Sequence, residues 1–142
     1  MNTISNKFNR ALVTGGAGFI GSHIVEELLL QGIKVVSVDD YSSGKAYNLS
    51  AFKSNPNLSI EECDVTDFDK LNSIFHKYKF DIVFHNAASK KNICLKNPPR
   101  DLEVNGTGAY NICELSLRHK VKKLMHASTG SVYGEAKILP QN

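Results

Sequence analysis

Three glycines recur at every third position, Gly15, Gly18 and Gly21, directly after the apolar run Ala11-Leu12-Val13, and Asp39 stands eighteen residues beyond the last of them. Each glycine has a physical use. The first permits a tight turn off a strand, where φ can be positive. The second lets a diphosphate approach the backbone without meeting a Cβ, and the third lets the following helix pack close. That helix begins with Phe19 and Ile20 and aims its unpaired N–H groups and positive dipole end at the phosphates. A carboxylate at the position of Asp39 accepts hydrogen bonds from an adenosine ribose. It also repels a 2′-phosphate about 4 Å away by roughly 4 kcal/mol per unit charge at an effective dielectric of 20. That is about a thousandfold in affinity, so Asp39 argues for NAD over NADP. Taken alone, the glycines also fit a surface turn, and Asp39 alone fits a turn cap.

The elements around these residues decide between the readings. The 10–14 run is a strand, and Ile20, Ile24, Val25, Leu28 and Leu29 give a helical stripe over 19–31, closed by Gly32. Residues 34–38 make a second, buried strand. A short helix and a loop over 46–57 lead to a third strand, 58–63. Asp64-Val65 follows: the carboxylate can accept from an adenine amine while Val65 covers the ring, or Asp64 can cap the next helix, and both can hold at once. Phe68, Leu71, Ile74, Phe75 and Tyr78 make 67–79 a core helix. The fourth strand, 81–85, ends in the small residues Asn86-Ala87-Ala88-Ser89, where a cofactor can lie against the backbone. Pro98-Pro99 opens a long helix over 100–119, apolar on two sides. The fifth strand, 122–127, ends in Ser128-Thr129-Gly130-Ser131-Val132-Tyr133-Gly134. Five strands alternating with helices predict an α/β, doubly wound parallel sheet in three α/β/α layers.

Bulk properties set the limits. The 142 residues form a single domain, 1–142. A net charge of +3 is too mild for nucleic acid, and no basic run is interleaved with aromatics. No apolar segment approaches a membrane span, and the polar first ten residues carry no signal core. Cys63, Cys94 and Cys113 show no paired spacing, which argues against disulfides and zinc and for a reducing, cytoplasmic setting. They read as small core residues, and the five histidines show no metal-ligand spacing.

Together the motifs resemble the extended short-chain dehydrogenases/reductases, the NAD-dependent nucleotide-sugar epimerase/dehydratase family. The matches are Thr14-Gly15-Gly16-Ala17-Gly18-Phe19-Ile20-Gly21, Asp39, Asp64-Val65, His85-Asn86-Ala87-Ala88, Val104-Asn105-Gly106-Thr107 and the run from Ser128 to Gly134. The resemblance implies a Rossmann-like domain in which Gly15, Gly18, Phe19, Ile20 and Gly21 meet the NAD diphosphate. Asp39 would hold the ribose, and Asp64 and Val65 the adenine. Ala87 and Ala88 would line the middle of the cofactor, with Asn105 supporting that wall and Ser128 beside it. Lys90 would stand near the nicotinamide ribose, or be a surface lysine. Thr129 would hydrogen-bond the reacting sugar hydroxyl.

Family dehydratases and decarboxylases place carboxylates where this chain has Gly130 and Ser131. The resemblance therefore implies an epimerase that oxidises and re-reduces a sugar carbon, on a UDP-sugar, or a plain reductase. The family's Tyr-x-x-x-Lys pair is expected further on, where an ammonium lowers the phenol's pKa. Neither Tyr41…Lys45 nor Tyr133…Lys137 suits that role. The expectation is thus an N-terminal part, truncated before the catalytic Tyr/Lys helix and lacking the C-terminal substrate domain, inactive alone. A non-catalytic NAD-binding module is the alternative. The uncovered side of the 100–119 helix predicts homo-oligomerisation through it.

Overall fold

A computed structural model describes residues 7–129, Val132 and Gly134. Five strands, β1 (Arg10–Thr14), β2 (Lys34–Asp39), β3 (Leu58–Glu62), β4 (Ile82–His85) and β5 (Lys123–His126), form one sheet in the order β3-β2-β1-β4-β5. All four pairings are parallel. The order reverses between β1 and β4, and a crevice opens there, outside the carboxyl ends of the strands.

Strand periodicity sorts the side chains into two cores. On β1, Leu12 faces one side while Ala11 and Val13 face the other; on β4, Val83 and Ile82 divide in the same way. Helices α2 (Phe68–Tyr78) and α5 (Ala109–Arg118) cover the first face with Leu71, Ile74, Phe75, Ile112 and Leu115. Helix α1 (Phe19–Leu30) and a 3-10 helix (Ala46–Phe52) cover the second with Val25, Leu28, Leu29 and Leu49. The expected three layers are present. Among the described residues no helix is long and apolar enough to cross a membrane.

Helix ends follow local chemistry. Gly32, at φ +75°, closes α1: its N–H donates to Leu29 O and that of Ile33 to Leu28 O, the paired bonds of a Schellman ending. Asp67 caps α2 by accepting from Lys70 N–H at 3.0 Å.

Three expectations need correction. The continuous 100–119 helix is three pieces: α4 (Pro98–Leu102), a π-helical segment (Glu103–Gly108) and α5. The segment holds Asn105, Gly106, Thr107 and Gly108, all weak α formers, and Gly108 presses on Val65, where a Cβ would come within 2.6 Å of Cγ2. A short helix, α3 (Lys91–Lys96), precedes it where none was expected. Of the cysteines only Cys63 is a core residue; Cys94 is half-buried and Cys113 is exposed, because its neighbours Ile112 and Leu115 take the sheet-facing side of α5.

The second apolar side of this helical stretch does lie open. Leu102, Tyr110 and Leu117 are 73%, 63% and 76% exposed.

Candidate functional site

A cleft of about 700 Å³ lies at the carboxyl ends of the strands. Gly15, Gly18, Phe19, Ile20, Gly21, Asp39, Asp64, Val65, Ala87, Ala88 and Lys90 all line it. Asn105 stands behind its wall. Ser128 and Thr129 follow β5, are exposed and are not among the lining residues, although Ala127 is. Gly130, Ser131, Tyr133 and Lys137 lie outside the described residues.

The glycine turn is built by contacts that no larger residue would permit. Gly15 takes φ +66°, and a Cβ there would lie 2.8 Å from Ala87 N. A Cβ on Gly21 would lie 2.0 Å from Gly15 O, so the first turn of α1 rests directly on the turn off β1. Gly18 N–H donates to Gly15 O at 3.0 Å, and Ser22 N–H reaches back to Gly18 O at 3.0 Å. Gly18 itself has no capping side chain, which leaves the helix N-terminus open toward the cleft.

Asp39 ties the turn together, as its position allows. Its carboxylate accepts from Ala17 N–H and from Tyr41 N–H, each at 2.9 Å, and ties the glycine turn to the end of β2. Those charge-assisted bonds compensate its burial at 7% exposure. The carboxylate still fronts the cleft, and each oxygen keeps a further lone pair. Gly44 abuts it, where a Cβ would lie 2.6 Å from Oδ1.

Asp64 does not cap α2, a role that falls to Asp67. Its Oδ1 accepts from the N–H and hydroxyl of Thr66, at 2.9 and 2.8 Å. Its Oδ2 accepts from Arg100, which also contacts Asp40 at 3.4 Å and Glu103 at 3.6 Å. Burial pushes the Asp64 carboxyl up, but the Thr66 and Arg100 bonds outweigh it and hold the group below the ordinary aspartate value. Buried Asn111 donates to Val65 O and Thr66 O, at 3.0 and 3.2 Å, and fixes the turn from which Asp64 projects.

The small-residue wall hangs on a buried chain of bonds. Ala87 N–H donates to Thr14 Oγ1 at 3.3 Å, and that oxygen lies 2.6 Å from His85 Nδ1. A hydroxyl carries one donor and two lone pairs, so the Thr14–His85 bond fits a neutral ring of either tautomer. Burial and the His126 ring, at 5.0 Å between centroids, push His85 down to about 4. Further along, Asn105 Oδ1 accepts from Ser89 N–H at 2.8 Å.

The residues fit a dinucleotide on two further observations. Gly15 and Gly21 are packed against the protein's own backbone, while a Cβ on Gly18 would meet only Gly15 O, at 3.1 Å, so the middle glycine leaves its backbone open to a phosphate. The buried Asn86 Nδ2 and Ser89 Oγ, both on cleft-lining residues, have no partner among the described residues, and a ribose or diphosphate oxygen would satisfy them. The lining balances Asp39, Asp40 and Asp64 with Lys45, Lys90 and Arg100. Among the described residues no group of three or more His, Cys, Asp or Glu side chains could hold a metal ion.

Sequence reading missed Arg100, Asp40 as a lining residue, Asn86, Ser89 and Asn111. Asn86 and Ser89 flank the expected alanines, so the strand-end run itself was their signal. Arg100 sits 36 residues from Asp64 and 60 from Asp40, and nothing local announces such pairs.

The sequence model of the NAD dependent epimerase/dehydratase family matches residues 11–142. UDP-glucose 4-epimerase of Mycolicibacterium smegmatis is 38% identical over 135 residues, 92% of this chain and 42% of the relative. A crystal structure of UDP-glucose 4-epimerase from Thermotoga maritima, with UDP-glucose, is 39% identical and superposes with a TM-score of 0.82 over 93% of this chain and 42% of that one. The Thermus thermophilus UDP-glucose 4-epimerase in complex with NAD is 36% identical, with a TM-score of 0.82 over 94% and 42%. The chain thus spans about two fifths of the length of these relatives. The turn at Gly15, Gly18 and Gly21, Asp39 at the end of β2 and the parallel sheet agree with these matches, and the chain belongs to the NAD dependent epimerase/dehydratase family.

Proposed function

We propose that this chain is the NAD-binding portion of a nucleotide-sugar epimerase that acts on a UDP-hexose. One observation carries the reading. A single cleft at the switch point of the sheet joins a glycine cradle, an aspartate at the β2 end and two unpartnered buried donors, Asn86 and Ser89. The UDP-glucose 4-epimerases among its relatives point to the substrate class.

The chain's own residues have separable tasks. The N-terminus of α1 and the Cβ-free floor at Gly15, Gly18 and Gly21, flanked by Phe19 and Ile20, receive the diphosphate. Asp39 accepts from ribose hydroxyls and repels a 2′-phosphate. Asp64 takes an amine of the base and Val65 covers it. Ala87 and Ala88 keep the wall thin, Asn105 braces it through Ser89, and Lys90 and Ser128 border it. Held by these residues, NAD would supply hydride-transfer chemistry at the sugar carbon. Thr129 orients the sugar hydroxyl. The proton is removed by a Tyr/Lys pair contributed by further chain. The three free cysteines fit a cytoplasmic protein. The open face at Leu102, Tyr110 and Leu117 is read as a contact surface for a second copy.

Calorimetric titration of the protein with NAD and NADP tests the binding. Saturable NAD binding with at least roughly tenfold weaker NADP binding is expected from the Asp39 repulsion. A folded protein that binds neither would refute the reading. Conversion of UDP-glucose to UDP-galactose by the full-length protein tests the chemistry; NAD binding without turnover would instead select the non-catalytic module.

A further inference from the structure

Two turns at the adenosine end of the cleft are built alike and face one guanidinium. Asp40 Oδ1 accepts from the N–H and hydroxyl of Ser42, at 3.0 and 2.7 Å, as Asp64 Oδ1 does from those of Thr66. That leaves each carboxylate its Oδ2, and both of these oxygens meet the same nitrogen of Arg100, Nη2. The side chains of Arg100, Asp40 and Asp64 are 28%, 31% and 32% exposed, and all of them line the cleft. A carboxylate only accepts hydrogen bonds and a guanidinium only donates them, so without Arg100 the two carboxylates would face each other with no donor between them.

The backbone ladder stops short of these turns. The β2–β3 pairing ends with Asp39 opposite Glu62, and among the described residues the last backbone bond between the two runs is Cys63 N–H to Asp39 O, at 3.0 Å. Asp40 and Asp64 lie just beyond it. Arg100 reaches them from α4, a helix with no buried residue of its own, and also meets Glu103 at 3.6 Å and Thr66 Oγ1 at 3.5 Å. Spacing matters here because ribose and base belong to one ligand. Asp39, next to Asp40, faces the ribose and Asp64 the base. Repulsion between the two turns would carry those acceptors out of register with a single adenosine.

We propose that Arg100 is a positioning residue for the cofactor, the counter-charge that holds the Asp40 and Asp64 turns at the spacing adenosine requires. The inference rests on the reading of the cleft as an NAD site with Asp39 at the ribose and Asp64 at the base. Arg100 itself needs no bond to the dinucleotide, since its Nη1 and Nη2 groups are already engaged by the two carboxylates, Glu103 and Thr66.

Dissociation constants for NAD, measured by calorimetry on the full-length protein and on variants that keep its far-UV circular dichroism, test this. Arg100→Met is expected to weaken NAD binding by about tenfold or more. Arg100→Lys, which keeps the charge but not the fork, is expected to recover at least about threefold of that loss. Adding Asp40→Asn to Arg100→Met removes the repulsion and offers Asp64 an amide N–H, and is expected to bring affinity back to within about threefold of the wild-type value. Adding Glu103→Gln instead removes the same charge from a residue outside the cleft lining, and is expected to recover nothing. Equal affinities of the two double variants would overturn the proposal, since packing or net charge alone makes no distinction between them. That comparison stands even where Arg100→Met by itself does not fold. An Arg100→Met protein that binds NAD as the wild type does would overturn it as well. A folded wild-type protein that binds no NAD overturns the cofactor reading itself, and this proposal with it.

Discussion

The His85 ring offers a quantitative test of the buried chain beneath the small-residue wall. It is 2% exposed, bonded through Nδ1 to Thr14, and held down to about 4 by burial first and by His126 second. An unfolded chain restores the ordinary histidine value of about 6.5. Below that value the unfolded state binds a proton that the folded state refuses. Stability is therefore full above about pH 6.5 and falls as the pH drops toward about 4. The whole difference of about 2.5 pH units corresponds to about 3.4 kcal/mol. Between about pH 7 and pH 4.5 the linkage relation gives roughly 2.4 kcal/mol. Urea unfolding followed by far-UV circular dichroism at about pH 7, 5.5 and 4.5 measures it. His85→Asn keeps an amide, able to donate or accept, near the Nδ1 position and cannot titrate. It is expected to cost stability at about pH 7, through the smaller side-chain volume, but to lose less than the wild-type protein on acidification by about 2 kcal/mol. Carboxylates such as Asp81, held low by Lys122 and the N–H groups of Asn9 and Arg10 after burial is overcome, titrate in both proteins and cancel in the comparison. Parallel pH profiles for the two proteins would refute the neutral, Thr14-bonded histidine.

Other expectations follow from single contacts. Gly15→Ala puts a Cβ 2.8 Å from Ala87 N on a backbone at φ +66°, and a loss of about 2 kcal/mol or more in urea unfolding, with NAD binding abolished, is expected; wild-type affinity would contradict the cradle. Asp39→Asn removes the charge and keeps an acceptor for only one of the two N–H groups, Ala17 and Tyr41, that meet separate oxygens; among folded protein it should narrow the NAD-over-NADP preference by about tenfold or more in the same titrations. Leu117→Lys, on a residue 76% exposed, should leave unfolding within about 0.5 kcal/mol of wild type while abolishing any concentration-dependent association seen by sedimentation. Thr129→Val in the full-length protein should cut kcat by about a hundredfold with little change in NAD affinity, and an unchanged kcat would remove Thr129 from the sugar's contacts.

The strands were legible because a buried parallel strand writes itself as a short apolar run. The structural bounds of β1 match the expected ones, those of β2, β3 and β4 differ by a residue at one end, and β5 is shorter by a residue at each end. The stripes of α1 and α2 were equally plain. The stretch from Lys91 to Arg118 was less so. Its apolar residues keep a helical period throughout, and that period cannot show the π turn, which ends where Gly108 meets Val65 of another element. The three cysteines show the same limit: side-chain type favours burial, but the face of the helix decides it for Cys113.

By itself, then, the sequence determined the glycine turn, the aspartate that ends β2 and the order of the elements, since each depends on spacing along the chain. Tertiary structure alone decided which distant groups share the cleft. Thr14 meets His85 across 71 residues, Asn111 holds Val65 across 46, and Arg100 joins Asp64 and Asp40 across 36 and 60. Parallel strands need long crossovers, so neighbours in the sheet are remote in sequence, and the polar pairs that finish the site leave no local pattern.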